Sequence, residues 1–205
     1  MSFLVLVRHG QSQWNKENLF TGWKDPDLTE KGEQEAISAG LALKKLGYRF
    51  DSVFTSVLLR AKKTTELMLI QLNQTSLTVI ENEALNERDY GNLSGLNKDD
   101  AKIKWGEEQV MAWRRSFDIA PPEGESLKNT AERVLPYFLK NILPCLKKNQ
   151  NVLVVAHGNS LRGLVMKLDK LSPEEVVKLE IHTGIPILYQ VSTQGKILKK
   201  DLLQN

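Results

Sequence analysis

Two histidines stand in matched surroundings. Val7-Arg8-His9-Gly10 and Ala156-His157-Gly158-Asn159 each place an imidazole and then a glycine directly after an apolar run. Neutral imidazole is a good nucleophile near neutral pH. If one ring nitrogen is held by a backbone carbonyl, the other faces a substrate in a fixed tautomer. Arg8 beside His9 indicates the electrophile, because a planar guanidinium offers paired donors that match phosphate oxygens, whereas acyl transfer needs an oxyanion hole of amides. The chemistry these residues suit is phosphoryl transfer, in which positioning and charge do most of the work, so more cations are expected nearby. Arg60, Lys98 and the pair Arg114-Arg115 are the candidates. Transfer to or from a hydroxyl also needs a proton carrier, and Glu87 in Asn86-Glu87-Arg88-Asp89-Tyr90-Gly91 is placed to be one. Enclosure in a cleft is expected to favour its neutral form, as suits a general acid.

These residues need a scaffold that brings distant segments together. Phe3 to Val7 and Val152 to Ala156 read as strands buried on both faces of a parallel sheet. Thr29 to Leu46 reads as a helix with Ala36, Ile37, Gly40, Leu41 and Lys44 on one face and Gly47 as its stop. Ser52 to Thr55 then predicts a strand, Leu58 to Leu72 a helix and Leu77 to Ile80 a further strand. Ser126 starts a long helix towards Pro144 that Pro136 should kink, Ser172 caps another, and Ile187 to Ser192 with Ile197 to Leu202 predicts a closing hairpin. The expected fold is α/β, a three-layer sandwich with a mostly parallel central sheet flanked by helices. Residues 86–125, with their turns and two short helical stretches, form a helical insertion over the C-terminal strand ends. In such sheets ligands bind beyond the carboxyl ends of the strands, so the two histidines can converge there.

Composition bounds the alternatives. The 205 residues, 41% hydrophobic and 26% charged, exclude disorder and suit one domain spanning 1–205. A net charge of +3 is too small for a general nucleic-acid binder. The longest apolar runs are five residues, against the roughly 18 needed to cross a bilayer, and the N-terminus does not read as a secretory signal. Cys145 is alone, which favours a reducing, cytoplasmic setting, and three His with one Cys show no metal-ligand spacing. His182 reads as structural. Trp14 and Trp23 are expected to shape the loop after the first strand, and Trp105 and Trp113 to pack the insertion.

Leu4-Val-Leu-Val-Arg-His-Gly-Gln-Ser-Gln-Trp-Asn15, Phe20-Thr-Gly-Trp23, Thr55-Ser56 with Arg60-Ala61, Leu85 to Gly91, Gly95 to Lys98, Trp113-Arg-Arg115 and Ala156-His-Gly-Asn-Ser-Leu-Arg162 together closely resemble the cofactor-dependent phosphoglycerate mutases of the histidine phosphatase superfamily. The resemblance runs in order from Leu4 to about Tyr189. It implies interconversion of 3-phosphoglycerate and 2-phosphoglycerate in glycolysis and gluconeogenesis through a phosphohistidine on His9. Priming is by 2,3-bisphosphoglycerate and no metal is used. It implies Glu87 as proton donor and acceptor, and His157 as stabiliser of the transferring group. Arg8, Ser12, Asn15 and Arg60, with the backbone of Gly158 and Asn159, would hold that group, and Thr21, Gly22, Tyr90, Lys98, Arg114 and Arg115 the rest of the substrate. It implies a cytoplasmic homodimer or tetramer with a small phosphorylated substrate and neither nucleic acid nor membrane as partner. The chain departs from longer members in the direct connection from Pro121 to Ser126 and in ending at Asn205, from which a more open cleft is expected, with more hydrolysis of the phosphoenzyme or weaker retention of the bisphosphate. A histidine phosphatase acting on a small phosphorylated metabolite is the enzymatic rival. A non-catalytic phosphate-binding regulator is the other, but it would usually lack His9 or Glu87.

Overall fold

The computed structural model describes residues 1–203. The apolar runs form the strands: β1 (Ser2–Arg8), β2 (Ser52–Thr55), β3 (Val79–Glu81) and β4 (Val152–Ala156). β5 (Ile187–Val191) and β6 (Ile197–Leu202) form the predicted hairpin. All six belong to one sheet of order β3-β2-β4-β1-β5-β6, in which the first four are mutually parallel, β5 is antiparallel to β1 and β6 is antiparallel to β5. β3 lies one to two residues beyond the Leu77 to Ile80 expectation.

Because successive strand residues point to opposite faces, the continuous apolar runs feed two cores. Leu4, Leu6, Val152 and Val154 pack with Val134, Leu161 and Leu164 from α6 (Leu127–Tyr137) and α8 (Gly158–Asp169). Val5, Val7, Leu153 and Val155 pack with Ala39, Leu43 and Met68 from α2 (Glu30–Lys45) and α3 (Leu59–Leu72) on the other face. This is the expected three-layer arrangement. The buried stripe of α2 is Gly32, Ala36, Ala39, Gly40 and Leu43, whereas Leu41 and Lys44 face outward. The expected face is therefore rotated. Small residues are what the close approach to α3 admits: a Cβ on Gly40 would lie 2.9 Å from the Met68 carbonyl oxygen.

Thr29 caps α2, accepting from the Gly32 amide. The long helix from Ser126 does break, but over Phe138–Ile142, where a π turn has the Leu143 amide donating five residues back to Phe138. The break separates α6, which contains Pro136, from a short helix at Leu143–Lys147 that has Pro144 in its first turn. Between residues 86 and 125, helices at Lys98–Trp105 and Glu107–Arg115 close over a small core of Phe20, Leu93, Ala101, Val110 and Trp113. Trp105 and Trp113 meet edge to face at 5.9 Å. The direct connection Pro121–Ser126 docks on the Glu87 loop, with the Asn92 amide on Pro122 O and the Glu125 amide on Asp89 O.

The loop after β1 owes its path to two glycines. A Cβ on Gly10 would sit 2.0 Å from the Gly32 carbonyl oxygen, and one on Gly32 would sit 2.1 Å from that of Gln11. The N-terminal turn of α2 thus presses backbone to backbone against the residues following His9. Gly32→Ala should cost about 2–3 kcal/mol in urea denaturation, since no rotamer relieves a backbone clash, and should lower activity in step. A loss under about 0.5 kcal/mol would contradict this packing.

Candidate active site

β1 and β4 pair in parallel with Arg8 opposite Ala156, and the His9 amide donates to Ala156 O at 3.0 Å. The next residue of each strand is a histidine, so the rings face one another with centroids 4.9 Å apart and planes inclined at 57°. His9 Nδ1 lies 2.7 Å from Gly10 O. A carbonyl can only accept, so Nδ1 carries the proton and Nε2 presents its lone pair. His157 Nε2 lies 2.7 Å from Ser56 Oγ, at the end of β2.

Guanidinium groups surround the rings, held by backbone carbonyls. Arg60 donates to Gly22 O and Lys24 O at 2.9 Å each, and Arg8 donates to Ile181 O at 2.9 Å. Burial lowers the Arg60 pKa to about 10, which leaves it charged at neutral pH. Both histidines sit far below the ordinary imidazole value of 6.5, first because burial disfavours the charged ring and then because Arg60 and Arg8 repel it.

Glu87 corrects the sequence expectation. Burial pushes its pKa up, but the Arg88 amide, the charges of Arg8 and Arg60 and the Asn159 side chain outweigh burial and hold the carboxyl below its usual value. Its Oε1 accepts from the Arg88 amide at 2.8 Å and from both the amide and the side chain of Asn159 at 3.0 Å. The Asn159 amide is one of the unpaired donors in the first turn of α8, which favours a negative charge there. The ligand-free carboxyl is therefore ionised.

These groups share a cavity of about 170 Å³ lined by Arg8, His9, Asn15, Thr21, Arg60, Glu87, Tyr90, Lys98, Arg114, Arg115, Gly158 and Asn159. That is smaller than the ~300–1,000 Å³ of sites for drug-sized ligands and suits a compact, highly charged molecule. His157 lies behind it, fully buried. Ser12 and Gly22 do not line it. Ser12 caps the short helix Gln13–Lys16 in a reciprocal pair with Asn15, and Gly22 turns its carbonyl to Arg60. Trp23 does more than shape its loop, since Nε1 donates to Glu87 O at 2.7 Å. His182 is exposed.

Sequence reasoning missed Arg162, Glu180, Leu19 and Phe20 in the lining. Arg162 had a readable signal: it stands three residues after Asn159 on the helix that follows His157, hence on the same face, and it donates to Asn159 Oδ1 at 3.1 Å. Glu180 had none. It pairs with Arg115 at 3.0 Å across the mouth. The buried Arg88 was also missed; it donates to Trp113 O and Tyr90 Oη and lies 4.6 Å from the Tyr90 ring centroid.

Buried atoms without a partner in the protein include Arg8 Nε, Arg60 Nε and His157 Nδ1. Two of these atoms belong to arginines that line the cationic cavity and the third to the ring directly behind it, an arrangement that fits a phosphoryl group as their shared partner. Among the described residues, no group of three or more His, Cys, Asp or Glu is gathered as a metal site, and no helix is long and apolar enough to cross a membrane.

Comparison with known proteins agrees with this chemistry. The model of the histidine phosphatase superfamily (branch 1) matches residues 4–200. A 2,3-bisphosphoglycerate-dependent phosphoglycerate mutase of Parvibaculum lavamentivorans is 62% identical over 98% of this chain and 96% of its own. One of the same name from Bartonella bacilliformis is 59% identical over 98% of each. Among solved structures, a mycobacterial glucosyl-3-phosphoglycerate phosphatase superposes with a TM-score of 0.81 at 25% identity, covering 98% of both chains.

The neutral, buried rings have a thermodynamic consequence. The unfolded chain protonates both histidines near 6.5 while the folded protein does not, so stability is lost as pH falls below that value. The slope is up to about 2.7 kcal/mol per pH unit for two rings. Denaturation of the ligand-free protein should give a clearly smaller unfolding free energy at pH 5.5 than at 7.5. Equal values would contradict neutral burial.

Proposed function

The chain belongs to the histidine phosphatase superfamily, and from that premise we propose that it interconverts 3-phosphoglycerate and 2-phosphoglycerate as a 2,3-bisphosphoglycerate-dependent mutase of glycolysis and gluconeogenesis. The fold is shared with phosphatases and does not choose between the two activities. The observation that carries the choice is the second set of cations, Lys98, Arg114 and Arg115, lining the cavity beside the His9 site. A mutase must retain a bisphosphorylated intermediate while it reorients, and these side chains supply that grip; a phosphatase has only to release its product.

In the proposed mechanism Nε2 of His9 attacks one phosphorus of 2,3-bisphosphoglycerate; the bound anion lets Glu87 take up a solvent proton, which it passes to the ester oxygen as the O–P bond breaks and monophosphoglycerate leaves, so the enzyme is primed. Glu87, ionised in the free site, then takes the proton from the acceptor hydroxyl of 3-phosphoglycerate as the N–P bond breaks and the new O–P bond forms. After the bisphosphate turns over, His9 attacks its other phosphorus, and Glu87 returns the proton to the leaving oxygen. Arg8 and Arg60 neutralise the moving group, and an anion placed on them offsets the charge that keeps Glu87 ionised, so the carboxyl can hold its proton between the two steps. Asn15, His157 and the amides of Gly158 and Asn159 complete the cradle, while Thr21, Tyr90, Lys98, Arg114 and Arg115 hold the remainder of the substrate. Ser12 and Gly22 support the site through the helix cap and through Arg60. The same reading carries a single domain over 1–205, a cytoplasmic setting and a homodimer or tetramer, for which equilibrium sedimentation is the measurement.

Conversion of 3-phosphoglycerate should be stimulated by catalytic 2,3-bisphosphoglycerate and should persist in chelator; strict metal dependence would reject the mechanism. Glu87→Gln should lower kcat by about 10²–10⁴-fold, the range of a lost general acid or base. Arg115→Ala should abolish mutase turnover while sparing hydrolysis of the bisphosphate. Equal loss of both would favour a phosphatase whose substrate needs Arg115.

A further inference from the structure

We propose that Ser56 is a positioning residue that fixes His157 as its Nδ1–H tautomer, so that a neutral ring donates a hydrogen bond to the transferring phosphoryl group. The inference rests on the reading that a phosphoryl group enters the cavity, and it follows from counting protons. Ser56 is fully buried at the end of β2. Its hydroxyl oxygen accepts from the Leu58 amide at 3.2 Å and meets His157 Nε2 at 2.7 Å; among the described residues it makes no other hydrogen bond. A serine hydroxyl has one proton to give and two lone pairs.

Two assignments are open. If Nε2 carried the ring proton, the serine oxygen would accept twice, its own proton would be buried without an acceptor, and Nδ1 would turn a lone pair towards an incoming phosphate oxygen. If the hydroxyl instead donates to Nε2, every group on the Ser56 side is satisfied. Only the Nδ1–H is then left over: the Ser160 amide approaches the ring from the third position of α8 but makes no cap hydrogen bond to it, and Nδ1 is buried without a partner in the protein, as are the Nε atoms of Arg8 and Arg60. The second assignment leaves neither the Ser56 hydroxyl nor the His157 ring with an unpaired buried atom once the phosphoryl oxygens arrive. Burial and the neighbouring Arg60 keep the ring uncharged, so the bond comes from tautomer choice rather than protonation. His9 is the mirror case: Gly10 O takes its Nδ1–H and frees a lone pair. One strand end thus presents a nucleophile and the other a donor.

The test is ¹⁵N-histidine NMR on the full chain, whose three histidines are assigned by the loss of one signal in His157→Asn. At pH 7.5, without substrate, His157 should show a protonated Nδ1 and an unprotonated Nε2; the reverse pattern would overturn the proposal. This readout needs no turnover, so its failure is distinct from failure of the mutase reading, which would appear as wild-type protein without activity. Ser56→Ala should lower kcat by about 10–100-fold, the range for groups that orient a reacting side chain, and should shift the His157 signals towards mixed tautomers. Ser56→Thr, which keeps the hydroxyl, should restore the wild-type pattern. Wild-type kcat in Ser56→Ala, or a loss of kcat with the tautomer unchanged, would overturn it. If Ser56→Ala does not fold, the wild-type spectrum alone decides.

Discussion

The parallel pairing of β1 with β4 sets Arg8 opposite Ala156, and that register brings the next residue of each strand, a histidine, to the same level at the sheet's edge. Because both strands are apolar on both faces, hydrophobic pattern alone would tolerate a slip of the pairing. Polar contacts at the two ends pin it: the Phe3 amide on Asn151 Oδ1 and the His9 amide on Ala156 O. A register shift of one residue would separate the rings by roughly another 3.3 Å along the strands, and no single phosphate could span them.

The second organising feature is how the cations are held. Arg8, Arg60 and Arg88 are fixed largely by backbone carbonyls, which orient a guanidinium without cancelling its charge. Asp25 approaches Arg60 Nη1 only at 3.7 Å, and the shorter arginine–carboxylate pairs lie elsewhere. Glu125 pairs with Arg133, which reaches the carbonyls of Ala84, Asn86 and Glu87 and so clamps the loop of the proton carrier. Glu180 meets Arg115 only at the exposed mouth. Among the described residues the lining carries Glu87 beside the rings and Glu180 at the mouth against Arg8, Arg60, Lys98, Arg114, Arg115 and Arg162, so the field there remains positive until an anionic substrate arrives.

Most of this was legible because local rules and global topology agreed. The buried strands announced themselves by five-residue apolar runs, and the matched His-Gly pairs after them named the site. Helix starts at Thr29, Ser126 and Ser172 carried their capping side chains. What escaped was set by tertiary contact. The rotation of α2 depends on Gly40 meeting α3, which no periodicity reveals. The ionised state of Glu87 depends on donors drawn from Arg88 and Asn159, 72 residues apart from it in the latter case, so burial alone gave the wrong sign. Glu180 entered the site from a loop whose sequence carries no chemical signature.

The central claim is that His9 Nε2 carries the phosphoryl group inside this ring of cations. It is tested most directly by exposing the protein to ³²P-labelled 2,3-bisphosphoglycerate and mapping the label. The account predicts one acid-labile, base-stable phosphoryl group per chain, attached through Nε2 of His9 and lost in His9→Ala. A label that survives in His9→Ala, or that proves stable to acid, would contradict it.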